Sequence, residues 1–165
     1  MPDILDKIMA FDNALKLVKS WRSKSEKIVF TNGVFDILHP GHVIYLDQAR
    51  ALGTKLILGL NSDASAKSQE KGPNRPINNE KARATVLAGL ASVDLIVKFN
   101  DQTPLSLIET ILPDVLVKGG DYSLDQIVGA EIVTANGGVV KSIPFVEGYS
   151  TTSIEQKILK GVKAL

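Results

Sequence analysis

Residues 31–42 read TNGVFDILHPGH, and they are the most informative segment of the sequence. An apolar run at residues 28–30 comes directly before it, and an amphipathic run at residues 43–52 comes directly after it. This pattern predicts a strand, a tight turn and the start of a helix. A helix start presents unpaired backbone N–H groups and a partial positive charge, and both favour a bound phosphate.

The only two histidines of the sequence lie in this turn, His39 and His42. They are one helical turn apart, so their rings can flank the same anion. Pro40 suits a first helical turn because it has no N–H, and Gly41 lets a ligand approach the backbone closely. An ordinary capped turn with two surface imidazoles is the alternative. The spacing and the position favour the functional interpretation.

The rest of the chain alternates apolar runs with helical patterns, which predicts an α/β fold. The apolar runs are residues 28–30, 55–60, 95–99, 115–118 and 139–145, and the helical patterns are residues 42–52, 79–90, 104–111, 124–136 and 152–163. We expect a Rossmann-like parallel sheet of about five strands with helices on both faces, and a leading helix near residues 12–21. We predict an N-terminal helical extension over residues 1–26 and one main domain over residues 27–165.

The amino-acid composition and net charge limit the kinds of molecule that the protein is expected to bind. The chain has 165 residues, 44% hydrophobic and 22% charged, with a formal net charge of +1. These values are typical of one globular domain and give no broad attraction to nucleic acid or membranes. There is no cysteine, which excludes disulfides and fits a cytoplasmic location. The N-terminus carries charged residues and no long apolar run, so we expect neither a signal peptide nor a membrane span.

Polar residues follow the second predicted strand. Asn61 and Asp63 come first, and a plain cap for a short helix is the alternative interpretation. The loop that follows carries Lys67 and Arg75 beside glycine and proline residues that limit its freedom. Charged loops are usually solvated, but these cations are expected near the phosphate turn. We interpret both as functional and leave Lys71 and Arg83 open.

Two later strand ends carry further candidates. Lys118 ends an otherwise apolar predicted strand, so its ammonium group should reach an anion or a carboxylate. Gly119 and Gly120 follow it and indicate either a backbone that lies close to a ligand or a plain turn. Residues 150–153 are four consecutive hydroxyl residues. A capping box between Thr152 and Glu155 is the alternative, but a second helix start at this edge could grip another phosphate.

Several common motifs are absent from the sequence. There is no G-x-x-x-x-G-K-[ST] loop, no G-x-G-x-x-G fingerprint, no His/Cys metal cluster and no G-x-S-x-G elbow. No covalent intermediate is therefore required.

These residues resemble the nucleotidyltransferase superfamily marked by an H-x-G-H turn, which includes cytidylyltransferases and pantetheine-phosphate adenylyltransferase. The fuller pattern is similar to one branch, the D-glycero-β-D-manno-heptose 1-phosphate adenylyltransferases of ADP-heptose and lipopolysaccharide synthesis. The segments that carry this similarity are residues 31–36, 39–42, 61–63, 72–77, 113–122 and 150–152. The domain is often fused behind a sugar kinase, and we expect the stand-alone form here.

The resemblance implies that AMP passes from ATP to heptose 1-phosphate, with pyrophosphate released. It also implies Mg²⁺ bridged mainly by phosphate oxygens, with few protein ligands, and a homodimer or higher homo-oligomer. The catalytic residues would be His39, His42 and Lys118. The nucleotide would be bound by Thr31, Asn32, Gly33, Phe35, Gly41, Asn61, Asp63, Lys67, Val146, Tyr149, Ser150, Thr151 and Thr152. The sugar phosphate would be bound by Asp36, Arg75, Gly119 and Asp121.

One departure from the superfamily pattern concerns the last helix, where S-S-T-x-[KR] is usual. Residues 150–154 lack the basic residue, and we expect Lys67, Arg75 or Lys118 to replace it. Two alternatives stay open. One is cytidylyl transfer to another phosphorylated alcohol, and the other is a non-catalytic nucleotide-binding module on the same fold.

Overall fold

The computed structural model describes residues 3–69, 72 and 74–163. Its strands are β1 (Ile8–Met9), β2 (Ile28–Gly33), β3 (Lys55–Asn61), β4 (Leu95–Phe99), β5 (Val115–Gly119) and β6 (Val139–Ile143). Its α-helices are α1 (Phe11–Ser23), α2 (Pro40–Arg50), α3 (Asp63–Lys67), α4 (Glu80–Ala88), α5 (Leu105–Ile111), α6 (Ala130–Ala135) and α7 (Thr151–Lys163). Short 3₁₀ turns occupy Ile4–Lys7 and Leu124–Gln126.

The strands form one parallel sheet in the order β1-β4-β3-β2-β5-β6. From β2 the chain builds outward through β3 and β4 on one side and through β5 and β6 on the other. The strand order therefore reverses beside β2, and ligands of such sheets bind in the crevice at that point. The predicted Rossmann-like α/β fold is confirmed, and the described residues form six strands instead of about five. The additional strand, β1, has two residues, too few for a periodic pattern.

Both faces of the sheet are buried, as expected for parallel strands. One apolar layer joins Phe30 of β2 to Trp21 of α1 and Ile108 of α5. The other joins Val29 of the same strand to Leu46 of α2. Alternate residues of one strand thus face opposite layers, which fixes the register of β2 and the direction of its carboxyl end.

One predicted helix is interrupted. The pattern at residues 124–136 predicted a continuous helix, but a 3₁₀ turn and α6 occupy its two ends. Gly129 lies between them with a φ of 84°, a left-handed conformation that only glycine adopts without strain.

The N-terminal residues are part of the sheet and core. Ile8 and Met9 pair with Ile96 and Val97 of β4, and α1 buries Ala14, Val18 and Trp21. The proposed boundary between residues 26 and 27 stays a prediction. Over residues 3–69, 72 and 74–163, we find no helix with the length and apolar character needed to cross a bilayer.

Candidate active site

A cavity of about 580 Å³ opens at the carboxyl ends of β2 and β5, where the strand order reverses. Its volume lies within the range of small-molecule sites. It is lined by most of the residues that the sequence predicted for the site. These are Asn32, Gly33, Phe35, Asp36, His39, Gly41, His42, Arg75, Lys118, Gly119, Val146, Tyr149, Ser150, Thr151 and Thr152.

The two histidines form a stacked pair at the start of α2. Their ring centroids are 3.8 Å apart and their planes differ by 19°. Burial lowers the pKa of the His39 imidazole below its ordinary value of 6.5. Two charged rings at this separation would repel each other by about 4 kcal/mol at an effective dielectric constant of ~20. Protonation of the His39 ring is therefore disfavoured unless an anion binds beside it.

His39 also has an unused hydrogen-bonding atom. Its Nδ1 is buried, and no hydrogen-bond partner for it is found within the described residues. Buried polar atoms normally have partners, and a phosphate oxygen could supply this one. His39 is the N-cap residue of α2 and Pro40 is its first helical residue, which brings the histidine to the positive end of the helix dipole.

Gly41 lies in a tightly packed part of this turn. A Cβ atom there would lie 3.1 Å from the His39 ring and 3.3 Å from Cβ of Tyr149. Tyr149 lies near the His39 ring, with centroids 6.5 Å apart and planes 17° from parallel. The glycine of the H-x-G-H turn therefore lets the segment before α7 approach α2, in addition to the ligand access that the sequence suggested.

Phe35 supports the second histidine. Its ring meets that of His42 edge-on at a centroid distance of 5.2 Å. Phe35 is buried and has a φ of 48°, a left-handed conformation that is unusual for an aromatic residue. A Cβ on Gly33 would lie 2.8 Å from the Phe35 ring, so the glycine makes room for it. The Phe35 ring thus packs against the His42 ring and limits its movement.

Asp36 fastens the loop before α4 to the turn. Its Oδ2 accepts the N–H of Ile77 at 2.8 Å, and its Oδ1 accepts the N–H of Asn78 at 2.8 Å. Arg75 Nη1 donates to the same carboxylate at 3.3 Å, and Arg75 Nη2 donates to Glu155 of α7 at 2.7 Å. Asp36 therefore lines the cavity but acts within the protein as the anchor of Arg75.

Lys118 and Gly119 line the cavity from the end of β5. Lys118 also borders a smaller cavity of about 100 Å³ behind the main one. A Cβ on Gly119 would lie 3.1 Å from the ring of Phe145 and 3.2 Å from that of Tyr45. The glycine thus lets the strand end pack between two aromatic rings.

The start of α7 lines the cavity, and its cap differs from the capping box that was the alternative interpretation of this segment. Ser150 Oγ accepts the N–H of Ser153 at 3.0 Å, so Ser150 is the cap and the helix begins at Thr151. Glu155 pairs with Arg75 instead of closing a box with Thr152. The capping-box alternative is therefore not observed, because the helix begins at Thr151 and a distant arginine pairs with the glutamate.

Five predicted binding residues do not line this cavity: Thr31, Asn61, Asp63, Lys67 and Asp121. Thr31 is fully buried, and its Oγ1 hydrogen-bonds the Tyr45 hydroxyl at 2.6 Å. Asn61 is also fully buried and donates to Ser65 at 2.9 Å. These contacts direct both side chains into the core of the protein, so the geometry does not support direct contact with a ligand.

The remaining residues of that group are directed elsewhere. Asp63 pairs with Arg83 at 2.8 Å, and Arg83 has a fully buried side chain that also donates to the carbonyls of Val34 and Asn78. Lys67 and Asp121 are exposed outside the cavity. Arg83, which the sequence left open, therefore has a structural role in tying α4 to the turn. Lys71 lies outside the described residues.

Some lining residues were missed by the sequence reasoning. Tyr45, Phe145, Tyr122 and Pro76 line the cavity. Tyr45 follows His42 by one helical turn, and that spacing could have indicated it. Phe145 and Tyr122 come from two different strand ends and meet only in the fold, so no local pattern marks them.

No group of three His, Cys, Asp or Glu side chains is placed to hold a metal ion within the described part of the chain. The carboxylate that lines the cavity, Asp36, already accepts two backbone N–H groups and an arginine. The residues that line this cavity would suit a divalent metal ion only if phosphate oxygens of the substrates supplied most of the metal ligands.

A parallel sheet with a histidine-bearing helix start at its switch point, faced by a second helix start, defines a nucleotide-binding α/β protein. The chain belongs to the cytidylyltransferase-like family, which matches residues 30–157. This confirms the predicted class of enzyme, a nucleotidyltransferase.

Curated proteins with similar sequences include bifunctional HldE proteins of several bacteria. Bifunctional protein HldE of Pseudomonas fluorescens strain Pf-5 is 55% identical over 157 residues, which cover 95% of this chain and 33% of the relative. Bifunctional protein HldE of Magnetococcus marinus is 53% identical, over 93% of this chain and 31% of the relative. The chain thus spans about a third of the length of these curated relatives.

Solved structures share the fold. A lipopolysaccharide core biosynthesis protein from Thermoplasma volcanium is 27% identical with a TM-score of 0.60, over 76% of this chain and 99% of that one. Pantothenate synthetase from Thermus thermophilus is 18% identical with a TM-score of 0.52, over 85% of this chain and 62% of that one. The second likeness concerns the fold alone.

Proposed function

We propose that this chain transfers AMP from ATP to D-glycero-β-D-manno-heptose 1-phosphate, which gives ADP-heptose and pyrophosphate. The observation that carries the proposal is the stacked pair of His39 and His42, which faces the start of α7 across one cavity. The motif resemblance, the identity to bifunctional HldE proteins and the lipopolysaccharide-related structural neighbour support the choice of sugar.

The reaction requires two anions in one place. An oxygen of the sugar 1-phosphate attacks the α-phosphorus of ATP, and the bond between that phosphorus and the bridging oxygen of the β-phosphate breaks. Such transfers depend on positioning and on stabilisation of charge, and no covalent intermediate with the protein is needed.

The histidines would act on the nucleotide. His39 and His42 donate hydrogen bonds to α- and β-phosphate oxygens as negative charge develops there. The low pKa of His39 leaves its ring neutral near pH 7, so it donates a single N–H until an anion favours its protonation. Residues 150–152 present hydroxyls and backbone N–H groups at the opposite helix start, where the nucleotide would lie.

The acceptor would bind on the other side. Lys118 at the end of β5 neutralises the acceptor phosphate, and Arg75 provides a second cation in the same cavity. Mg²⁺ held by phosphate oxygens would neutralise part of the polyphosphate charge. We further propose a cytoplasmic location, where ATP is supplied, and a homodimer or higher homo-oligomer.

Pyrophosphate release tests the proposal. The purified chain is incubated with ATP or CTP, with and without heptose 1-phosphate. Release that requires both ATP and the sugar phosphate is expected. Release with CTP but not ATP would overturn the adenylyl assignment, and no release with any pair would favour a binding module.

A histidine variant tests the site. His42→Ala should lower the turnover number about 10²- to 10³-fold at saturating ATP, the usual effect of removing one donor to a developing oxyanion. Thermal unfolding of the variant controls for loss of structure. Near-complete turnover in a folded His42→Ala protein would remove His42 from the mechanism.

A further inference from the structure

Over residues 151–161, helix α7 has no buried side chain. Residues 151–161, whose side chains are described, are either half-buried or exposed. The first turn of α7 nevertheless lines the cavity through Thr151 and Thr152. A helix with so little buried surface is held weakly, so an individual polar contact can decide its position.

Glu155 provides such a contact. Its Oε2 accepts a hydrogen bond from Arg75 Nη2 at 2.7 Å, and this ion pair joins α7 to the loop before α4. The two residues are 80 positions apart in the chain, so the contact exists only in the folded protein.

Arg75 is held on its other side independently of α7. Asp36 accepts its Nη1 at 3.3 Å and also accepts the backbone N–H groups of Ile77 and Asn78. The Arg75 side chain is 11% exposed, that of Asp36 4% and that of Glu155 30%. Glu155 is therefore the carboxylate that can return to water with the smaller penalty, while Asp36 keeps the arginine in the cavity wall.

The charges at this wall conflict with acceptor binding. The Arg75 guanidinium pairs with two carboxylates, those of Asp36 and Glu155. This group of three side chains therefore has no net positive charge to attract a phosphate. The Nε–H of Arg75 is buried and has no hydrogen-bond partner within the described residues, so one donor is unused in this arrangement. A phosphate bound to Arg75 would lie next to the Glu155 carboxylate, and like charges in contact repel strongly.

We propose that Glu155 competes with the phosphate of the acceptor for Arg75, so that acceptor binding releases α7 from the loop. This inference rests on the proposed function, because it assumes that the acceptor carries a phosphate. Glu155 then acts as an affinity filter. Only an acceptor that makes enough other contacts in the cavity displaces the carboxylate, and α7 moves when it does.

Amide hydrogen exchange of residues 151–161 tests the competition. In the wild-type chain, heptose 1-phosphate with a non-hydrolysable ATP analogue should raise exchange in α7 several-fold over the analogue alone. Glu155→Gln should show the raised exchange without the acceptor, and its KM for heptose 1-phosphate should fall about fivefold, as expected from loss of one partly exposed ion pair. Glu131→Gln, an exposed glutamate on α6, is the matched control and should behave as the wild type.

Two results would overturn the competition. One is wild-type exchange in α7 that does not change at acceptor concentrations that saturate turnover. The other is a higher KM for the acceptor in Glu155→Gln, because Glu155 would then hold Arg75 in place for the phosphate. If no pyrophosphate is released with heptose 1-phosphate, the proposed function fails, and the exchange experiment is repeated with inorganic phosphate. A rise in α7 exchange with phosphate then supports the competition, and no rise refutes it.

Discussion

Asp36→Asn should destabilise the protein by about 3 kcal/mol. The carboxylate accepts two backbone N–H groups at 2.8 Å, one on each oxygen, and pairs with Arg75 at 3.3 Å. An asparagine offers one oxygen, so its NH₂ group must face a donor, and the arginine loses a charge partner. Breaking a buried ion pair costs about 3–5 kcal/mol, and Glu155 still pairs with the arginine, which favours the lower end.

The assay is unfolding by heat and by urea. At this chain length 1 kcal/mol corresponds to about 2–4 °C, so the midpoint should fall by about 6–12 °C. The KM for heptose 1-phosphate should rise as well, because Arg75 is no longer anchored. Asp121→Asn removes an exposed carboxylate outside the cavity and should change stability by less than about 0.5 kcal/mol. An Asp36→Asn protein as stable as the wild type would refute the anchoring role.

Two further predictions concern pH. Burial raises the pKa of Tyr45 to about 12, so the folded chain keeps a proton that the unfolded chain loses near pH 10, and stability should fall by up to about 3 kcal/mol between pH 10 and 12. Urea unfolding of Tyr45→Phe should lack this component, and an equal decline in both proteins would contradict the assignment. Burial lowers the pKa of His39, so the unfolded chain takes up a proton first on acidification. The free energy of unfolding should therefore decline below pH 6.5, and it should decline less in His39→Gln. ATP binding at pH 6 should also be accompanied by proton uptake, which calorimetry in two buffers measures. No proton uptake would contradict protonation of His39 on anion binding.

The fold could be predicted because its main signals are local. The apolar run before His39 and the amphipathic run after it indicate a strand and a helix without any tertiary information. Alternation of the two element types then implies parallel strands, whose carboxyl ends meet at one edge. This rule places His39, Lys118 and Ser150 at one edge of the sheet, and in the structure all three line the same cavity.

The sequence gives no signal where a distant partner decides the contacts of a side chain. Glu155 fits a capping box by spacing, but Arg75 pairs with it across 80 residues. Asp36 was predicted to bind the sugar phosphate, and its carboxylate also accepts the backbone N–H groups of Ile77 and Asn78, which the sequence did not indicate. Strand β1 has two residues and is defined only by its pairing with β4. Periodicity carries no information about such contacts.

The position of a radioactive label distinguishes attack at the α-phosphorus of ATP from attack at the γ-phosphorus. The chain is incubated with heptose 1-phosphate and ATP labelled at either the α- or the γ-phosphate, and the products are separated. Attack at the α-phosphorus predicts that the α-label appears in the sugar nucleotide and the γ-label in pyrophosphate. A γ-label that appears in the sugar product would show phosphoryl transfer instead and would contradict the nucleotidyl transfer proposed for this cavity.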